Sequence, residues 1–213
     1  MDTTGTATQN DISPFFDRTE QLKSWWNILP HWEQRGKIQS VTFRLADSLP
    51  QCKLLEIREK KNWFLRQYPK PWDKDTESRY RRIISVNMDR YLDAGYGSCI
   101  LKNPELRRIV SDSLEFYDGK RYHLIAYVVM PNHVHALVEM SGEYEANCTF
   151  EDLKRFTARR IKSVTGGKDG LWGATFDRLI RDEKHLKYCV SYIRDNPRYL
   201  PSEYYTLGGP ALR

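Results

Sequence analysis

Two spacings organise this chain. Val41, Phe43 and Leu45 alternate with Thr42 and Arg44, the period-2 pattern of a half-buried strand. Tyr122 to Val129 and His133 to Met140 predict two more strands, joined by Met130, Pro131 and Asn132, which is turn chemistry. Phe176 to Ile180 predicts a further short strand. Helical spacing fills the intervals. Leu54, Leu55 and Ile57, with Arg58 and Lys61, predict a helix over about 51–68 that Pro69 and Pro71 end. A second helix is predicted over about 75–92. A third opens at Asn103-Pro104 and runs through Leu106, Ile109, Val110 and Leu114. A fourth covers 150–164 and ends at Gly166-Gly167; the last covers 183–195 and stops at Asn196-Pro197.

Residues 14–36 hold Phe15, Phe16, Trp25, Trp26 and Trp32 around Leu29-Pro30-His31 and are expected to form a helix and loop docked by those aromatics. Residues 1–13 read as a disordered leader and 201–213 as a tail. Strands interleaved with helices, with hairpin-type connections, predict an α+β fold with a mainly antiparallel central sheet. The expected organisation is one domain over 14–200 with a helical insertion at about 52–92.

Composition narrows the class. The chain has 213 residues, 40% hydrophobic and 29% charged, which excludes wholesale disorder and fibrous repeats. No apolar run approaches the roughly 20 residues that span a bilayer. The N-terminus is polar and lacks a basic patch followed by an apolar stretch, so a cytoplasmic protein is expected. Cys52, Cys99, Cys148 and Cys189 lie far apart with no CxxC pair, and ordinary reduced thiols are expected.

The net charge of +6 says little by itself, so placement matters. Between Cys52 and Arg90, eleven Lys and Arg face six Asp and Glu. From Lys154 to Lys168 the basic residues are Lys154, Arg155, Arg159, Arg160, Lys162 and Lys168, with no acidic residue between them. Arg155, Arg159 and Lys162 share a helix face, with Phe156, Ile161 and Val164 turned largely the other way. Such a stripe matches phosphate contacts along a nucleic acid; its plainer alternative is an ordinary solvated face.

His133-Val134-His135 is the first candidate for chemistry. Residues two apart on a strand share a face, so the imidazoles lie side by side while Val134 points to the core. Two imidazoles suit a divalent cation; the plainer alternative is a pair of surface histidines. Glu139 lies on the same face two pleats further on, and a third ligand must come from elsewhere. The last helix carries the second candidate. Tyr188, Tyr192 and Asn196 fall at i, i+4, i+8 on one stripe, with Leu186, Cys189, Val190 and Ile193 on the core-facing one. Tyrosine is a weak nucleophile because its pKa is about 10, and a nearby cation would activate it. No GxxxxGK[ST] phosphate loop occurs in the sequence.

Tyr127 through Met130-Pro131-Asn132-His133-Val134-His135 resembles the histidine–hydrophobic–histidine motif of HUH single-strand DNA endonucleases, and more narrowly that of the REP-associated tyrosine transposases, in the single-tyrosine, IS200-like branch. Four other stretches resemble that family in the same order. They are Leu29-Pro30-His31-Trp32 followed by Val41 to Pro50, then Tyr91-Leu92-Asp93 with Gly97, Phe176 to Glu183, and Tyr192 to Pro197. The resemblance runs from about 28 to 200. The chain departs from it in continuing with Arg198-Tyr199-Leu200-Pro201 after the motif and in being longer through its 52–90 segment.

The resemblance implies a ferredoxin-like HUH fold. It implies His133, His135 and Asn196 as ligands of Mg²⁺ or Mn²⁺ and Tyr192 as nucleophile, with Tyr188 ranked second. Cleavage would pass through a 5′-phosphotyrosine on single-stranded, hairpin (REP-like) DNA. Lys154, Arg155, Arg159, Arg160, Lys162 and Arg178 are the expected DNA contacts. The expected protein is a bacterial, nucleoid-associated monomer. Two alternatives stay open at this point: a hairpin-binding regulator that does not cut, and an unrelated zinc hydrolase that needs a third ligand.

Overall fold

The structure is a computed structural model that describes residues 13–26, 30–167 and 169–212; the expected leader lies outside the described residues, Ser13 excepted. The first element corrects the sequence reading. The described residues of 14–36 hold no helix but a two-stranded antiparallel ribbon, β1 (Lys23–Trp26) and β2 (Pro30–Glu33), pairing Lys23 with Glu33 and Ser24 with Trp32. Aromatic side chains fit a pleated surface well, and β2 begins at Pro30, where a strand tolerates a missing N–H. Trp32 docks on the body as expected: it stacks on Phe16 at 5.8 Å, and the Arg81 guanidinium lies 3.9 Å from its ring.

The strands of the main sheet are β3 (Ile38–Leu45), β4 (Tyr122–Val129), β5 (His133–Met140), β6 (Trp172–Leu179) and β7 (Thr206–Gly208). They lie in the order β6-β3-β5-β4-β7, and every neighbouring pair is antiparallel. The helices are α1 (Gln51–Gln67), α2 (Lys74–Asp93), α3 (Pro104–Tyr117), α4 (Ala146–Thr165) and α5 (Glu183–Asp195). The order β3-α3-β4-β5-α4-β6, with β3 and β5 central, is the split βαβ topology of the ferredoxin-like fold. The α+β class with an antiparallel sheet is therefore as expected. The segment expected as a tail instead supplies the edge strand β7. Gly208 permits this, because a Cβ there would lie 2.4 Å from the Tyr127 ring.

Local sequence sets the helix ends. Asn103 caps α3 by accepting from the Glu105 N–H, with Pro104 in the first turn. Asp182 caps α5 by accepting from His185 N–H. Gly166, at φ +64°, closes α4 in the left-handed conformation that glycine adopts without penalty.

The sheet is covered on both faces. Val41, Phe43 and Leu45 of β3 and Val134, Ala136 and Val138 of β5 pack against Leu106, Val110 and Leu114 of α3 and Phe150, Leu153 and Ile161 of α4. The opposite face carries Ala126, Val128 and Leu137 under Cys189 and Ile193 of α5. Helices α1 and α2 form a third cluster, Ile57, Phe64, Tyr80, Ile84, Met88 and Leu92, which Phe176 of β6 joins. No helix among the described residues is long and apolar enough to cross a membrane.

Candidate active site

Strand alternation delivers both histidines to the α5 face. Val134 and Ala136 face α3 and α4, so His133 and His135 point the other way, under α5. Neither is a surface residue: His133 is 0% and His135 3% exposed. Their Nε2 atoms lie 3.0 Å apart. That separation is a hydrogen-bonding distance between the rings and is also short enough for both nitrogens to hold one ion.

The outward nitrogens have partners that fix the rings. Asn132 Nδ2 donates to the Leu92 carbonyl in the last turn of α2 and to the Tyr96 carbonyl in the loop that follows, 3.1 Å each. Carbonyls only accept, so the amide is oriented with Oδ1 toward His133 Nδ1, 2.7 Å away. His133 Nδ1 must then carry the proton, which leaves Nε2 with a free lone pair. His135 Nδ1 sits 2.7 Å from Thr42 Oγ1, on the residue paired with it across β3 and β5. A hydroxyl both donates and accepts, so His135 is free to carry its proton on either nitrogen. With a cation present, Nδ1–H donates to Thr42 and both Nε2 lone pairs face one point; a ligating histidine commonly has such an outer partner.

Burial pushes both imidazoles down: His133 well below its ordinary value, with His135 adding to the effect, and His135 to about 4, with Arg178 adding. Both are neutral at pH 7, the form that ligates a metal.

Helix α5 brings Tyr192 against this pair. Its ring meets the His135 ring edge-on, with centroids 5.3 Å apart. Burial raises the phenol pKa, and Asp89, Asp93 and Tyr188 raise it further, while Arg178 opposes them. The phenol is therefore held protonated. Tyr192 Oη and, one turn on, Asn196 Oδ1 are buried and without a hydrogen-bond partner among the described residues. Such orphaned polar atoms call for an explanation, and an oxygen ligand beside a histidine pair is one. Among the described residues no group of three or more His, Cys, Asp or Glu side chains is placed to hold a metal ion. Two imidazoles and a buried amide oxygen are the groups here that could hold a divalent cation, with water and substrate completing its shell.

Thr42, Asp89, His135, Arg178, Tyr188 and Tyr192 line one cleft between α2, the sheet and α5. Burial lifts Asp89 to about 6; Arg178 pulls it down and Asp93 adds to the rise. Asp93, exposed at the end of α2, is also raised by desolvation, which the nearby Asn196 amide opposes. Thr42, Asp89, Asp93 and Asn132 escaped the sequence reading. The signal for the acidic pair was its i, i+4 spacing on α2, hidden in a helix that reads as merely basic.

The expected DNA contacts separate. Arg178 is exposed on the α5 face and lines the cleft. Helix α4 lies on the opposite face of the sheet, so its basic residues and the cleft are on different sides. Its stripe also differs from the one read in the sequence. Lys154 is buried at 8% exposure and reaches Glu151 (2.7 Å) and Thr175 (3.1 Å). Arg155 pairs with Asp152, and Lys162 pairs with Asp169 at 2.8 Å. Acidic residues flanking the run thus answer two of its exposed charges, while Arg159 and Arg160 are exposed. Phe156 and Val164, expected largely on the other side of the helix from the basic stripe, are each 46% exposed. Lys168 lies outside the described residues.

Residues 100–196, which include both histidines, Tyr192 and Asn196, match the family model described as IS200-like transposase. No curated protein matches the chain. A solved structure of a REP-associated tyrosine transposase bound to a REP hairpin is similar over 79% of this chain and 71% of that one, at 13% identity and a TM-score of 0.43. The resemblance read from the sequence is thus met by a family model over the segment that holds the candidate site.

Proposed function

We propose that this protein is a single-stranded DNA endonuclease and strand transferase, with Tyr192 as nucleophile and His133, His135 and Asn196 as the ligands of Mg²⁺ or Mn²⁺. The observation that carries the reading is the convergence of a strand and a helix. Two buried, neutral imidazoles with adjacent Nε2 atoms lie against a buried phenol, and an unpartnered amide oxygen follows one turn later.

The chain's own groups account for the following steps. Arg178, exposed at the cleft that Tyr192 lines, offers the cation that holds a DNA phosphate there. Tyr192 Oη attacks phosphorus, the bond to the 3′-oxygen breaks, and the phenolic proton is passed on so that the leaving strand ends as a 3′-hydroxyl. The other end remains as a 5′-phosphotyrosine. Attack on that linkage by a second 3′-hydroxyl restores Tyr192 and joins two strands, with no net consumption of ATP. A divalent cation bound at the site would supply Lewis-acid polarisation of the phosphate and offset the negative charge left on the phenol oxygen as its proton departs. The cleft also has to admit a backbone free of its complement, which favours a single strand beside a hairpin of the REP type. Nucleophile and candidate ligands all come from one chain, which supports a monomer as the active form.

The test is a denaturing gel with labelled single-stranded hairpin DNA and Mg²⁺ or Mn²⁺. A protein-linked band that disappears in Tyr192→Phe is the expected result. Tight binding on a native gel with no linked band under either metal would instead support a regulator that binds hairpins without cutting.

A further inference from the structure

A nucleotide has two chemically different halves, a charged phosphate and a flat, largely apolar base. The Tyr192 cleft offers a partner for each. Arg178, exposed on β6, is the cation for the phosphate. Tyr188, Met88 and Phe176 line the same cleft and are aromatic or apolar.

Met88 is buried and, with Phe176, belongs to the cluster of α1 and α2. Tyr188 differs. It is 64% exposed, and among the described residues no ring packs on it and no hydrogen bond holds its hydroxyl. The exposed rings of Trp63, Phe116, Phe156 and Tyr199 do not line this cleft. Two of them already carry a cation: Lys120 lies 3.3 Å from the Phe116 ring and Arg198 4.6 Å from that of Tyr199.

Helix geometry fixes where the Tyr188 ring stands. Tyr188 and Tyr192 are one turn apart on α5, about 5.4 Å along its axis. Successive nucleotides of a stacked strand are about 3.4 Å apart. A base beside a phosphate held at Tyr192 therefore falls within reach of Tyr188. Tyr192, not Tyr188, meets the His135 ring, so the two tyrosines stand in different places along the cleft.

We propose that Tyr188 is a stacking platform for an unpaired base next to the phosphate that Tyr192 attacks. The role rests on the cleft being the site of strand cleavage. Every base has a π-face, so such a platform tolerates many sequences. A base inside a duplex has both faces covered by its neighbours, so Tyr188 would also favour a single strand over a double one.

The experiment measures binding of the full chain to a fluorescein-labelled DNA hairpin with a short single-stranded extension on each side, by anisotropy with Mg²⁺. The parent protein carries Tyr192→Phe so that no cleavage intervenes. One extension nucleotide at a time is made abasic, which removes a base and keeps its phosphate. Stacking predicts that Tyr188→Ala weakens binding about 5- to 150-fold. Tyr188→Phe should restore it, and the salt dependence should not change, since no phosphate contact is lost. One abasic position should cost the parent a similar factor and cost Tyr188→Ala nothing further; such non-additivity identifies the pair. Tyr188 is exposed, so these variants leave the packing of the fold intact. Undiminished binding by Tyr188→Ala, a Tyr188→Phe protein as weak as Tyr188→Ala, or abasic losses that add in full to the Tyr188→Ala loss each overturns the stacking role and leaves the Tyr192 chemistry standing. A parent protein that binds none of these DNAs overturns the cleavage reading and the stacking role together.

Discussion

Replacing Asp89 with Asn should stabilise the protein, and the gain should depend on pH in a defined way. Asp89 is half-buried in the cleft beside Tyr192, and burial lifts its pKa from the ordinary 3.8 to about 6 despite the opposing pull of Arg178. A carboxyl with a raised pKa in the folded state destabilises that state once the unfolded chain ionises. The penalty is absent below the unfolded value, grows as pH rises from about 4 to 6, and is fully present above about 6. At about 1.4 kcal/mol per pKa unit it amounts to about 3 kcal/mol. Asn has nearly the same shape and no charge. Asp89→Asn should therefore raise the unfolding free energy by up to about 3 kcal/mol at pH 7–8, and by nearly nothing near pH 4. For a chain of this length each kcal/mol corresponds to roughly 2–4 °C in melting temperature. Urea titrations followed by tryptophan fluorescence, at steps from pH 4 to pH 8, read the difference directly; groups that titrate alike in both proteins cancel. An unchanged or lower stability at pH 8, or a gain independent of pH, would refute the argument that burial strains this carboxylate. A gain matched by lost activity would mark Asp89 as a charge kept for function at the expense of stability.

Other expectations follow from particular contacts. Phe43, fully buried between Phe150 and Trp172, should cost about 3–5 kcal/mol when replaced by Ala, measured by the same denaturation. Arg178→Ala should reduce DNA cleavage more than Arg159→Ala with Arg160→Ala, because Arg178 lines the Tyr192 cleft and α4 lies across the sheet; equal losses in a single-turnover assay would bring α4 into the site. Thr42→Val removes the only hydroxyl seen at His135 Nδ1 among the described residues, and should weaken Mn²⁺ binding about tenfold while leaving His133→Ala the more severe change.

Much of the fold was legible because its local rules agree with one another. Tyr122 to Val129, a Pro–Asn turn and His133 to Met140 read as a hairpin because periodicity and turn chemistry coincide, and the strands have those bounds. Asn196-Pro197 marked the end of α5. The β1–β2 ribbon was not legible: tryptophans suit a helix or a strand, and docking on Phe16 and Arg81 decides between them only in three dimensions. The edge strand β7 is three residues long, too short for any period to register. At the site, the spacing of His133 with His135 and of Tyr192 with Asn196 survives folding because each pair belongs to one element. The contribution of α2 was hidden because it arrives from more than a hundred residues before α5 and depends on which face of the sheet that helix covers. The basic run on α4 looks less one-sided once folded: its counter-charges, Glu151, Asp152 and Asp169, lie just outside the run, and only packing shows that Lys154 turns inward.

The central claim is that Tyr192 becomes covalently joined to DNA. Trapped adduct, digested with trypsin and a nuclease, should yield the peptide from Tyr188 to Arg194 carrying a nucleotide residue. Fragmentation of that peptide separates its two tyrosines. Nucleotide mass on Tyr192 is the predicted result; mass on Tyr188, or a peptide that remains unmodified while DNA is cut, would contradict it.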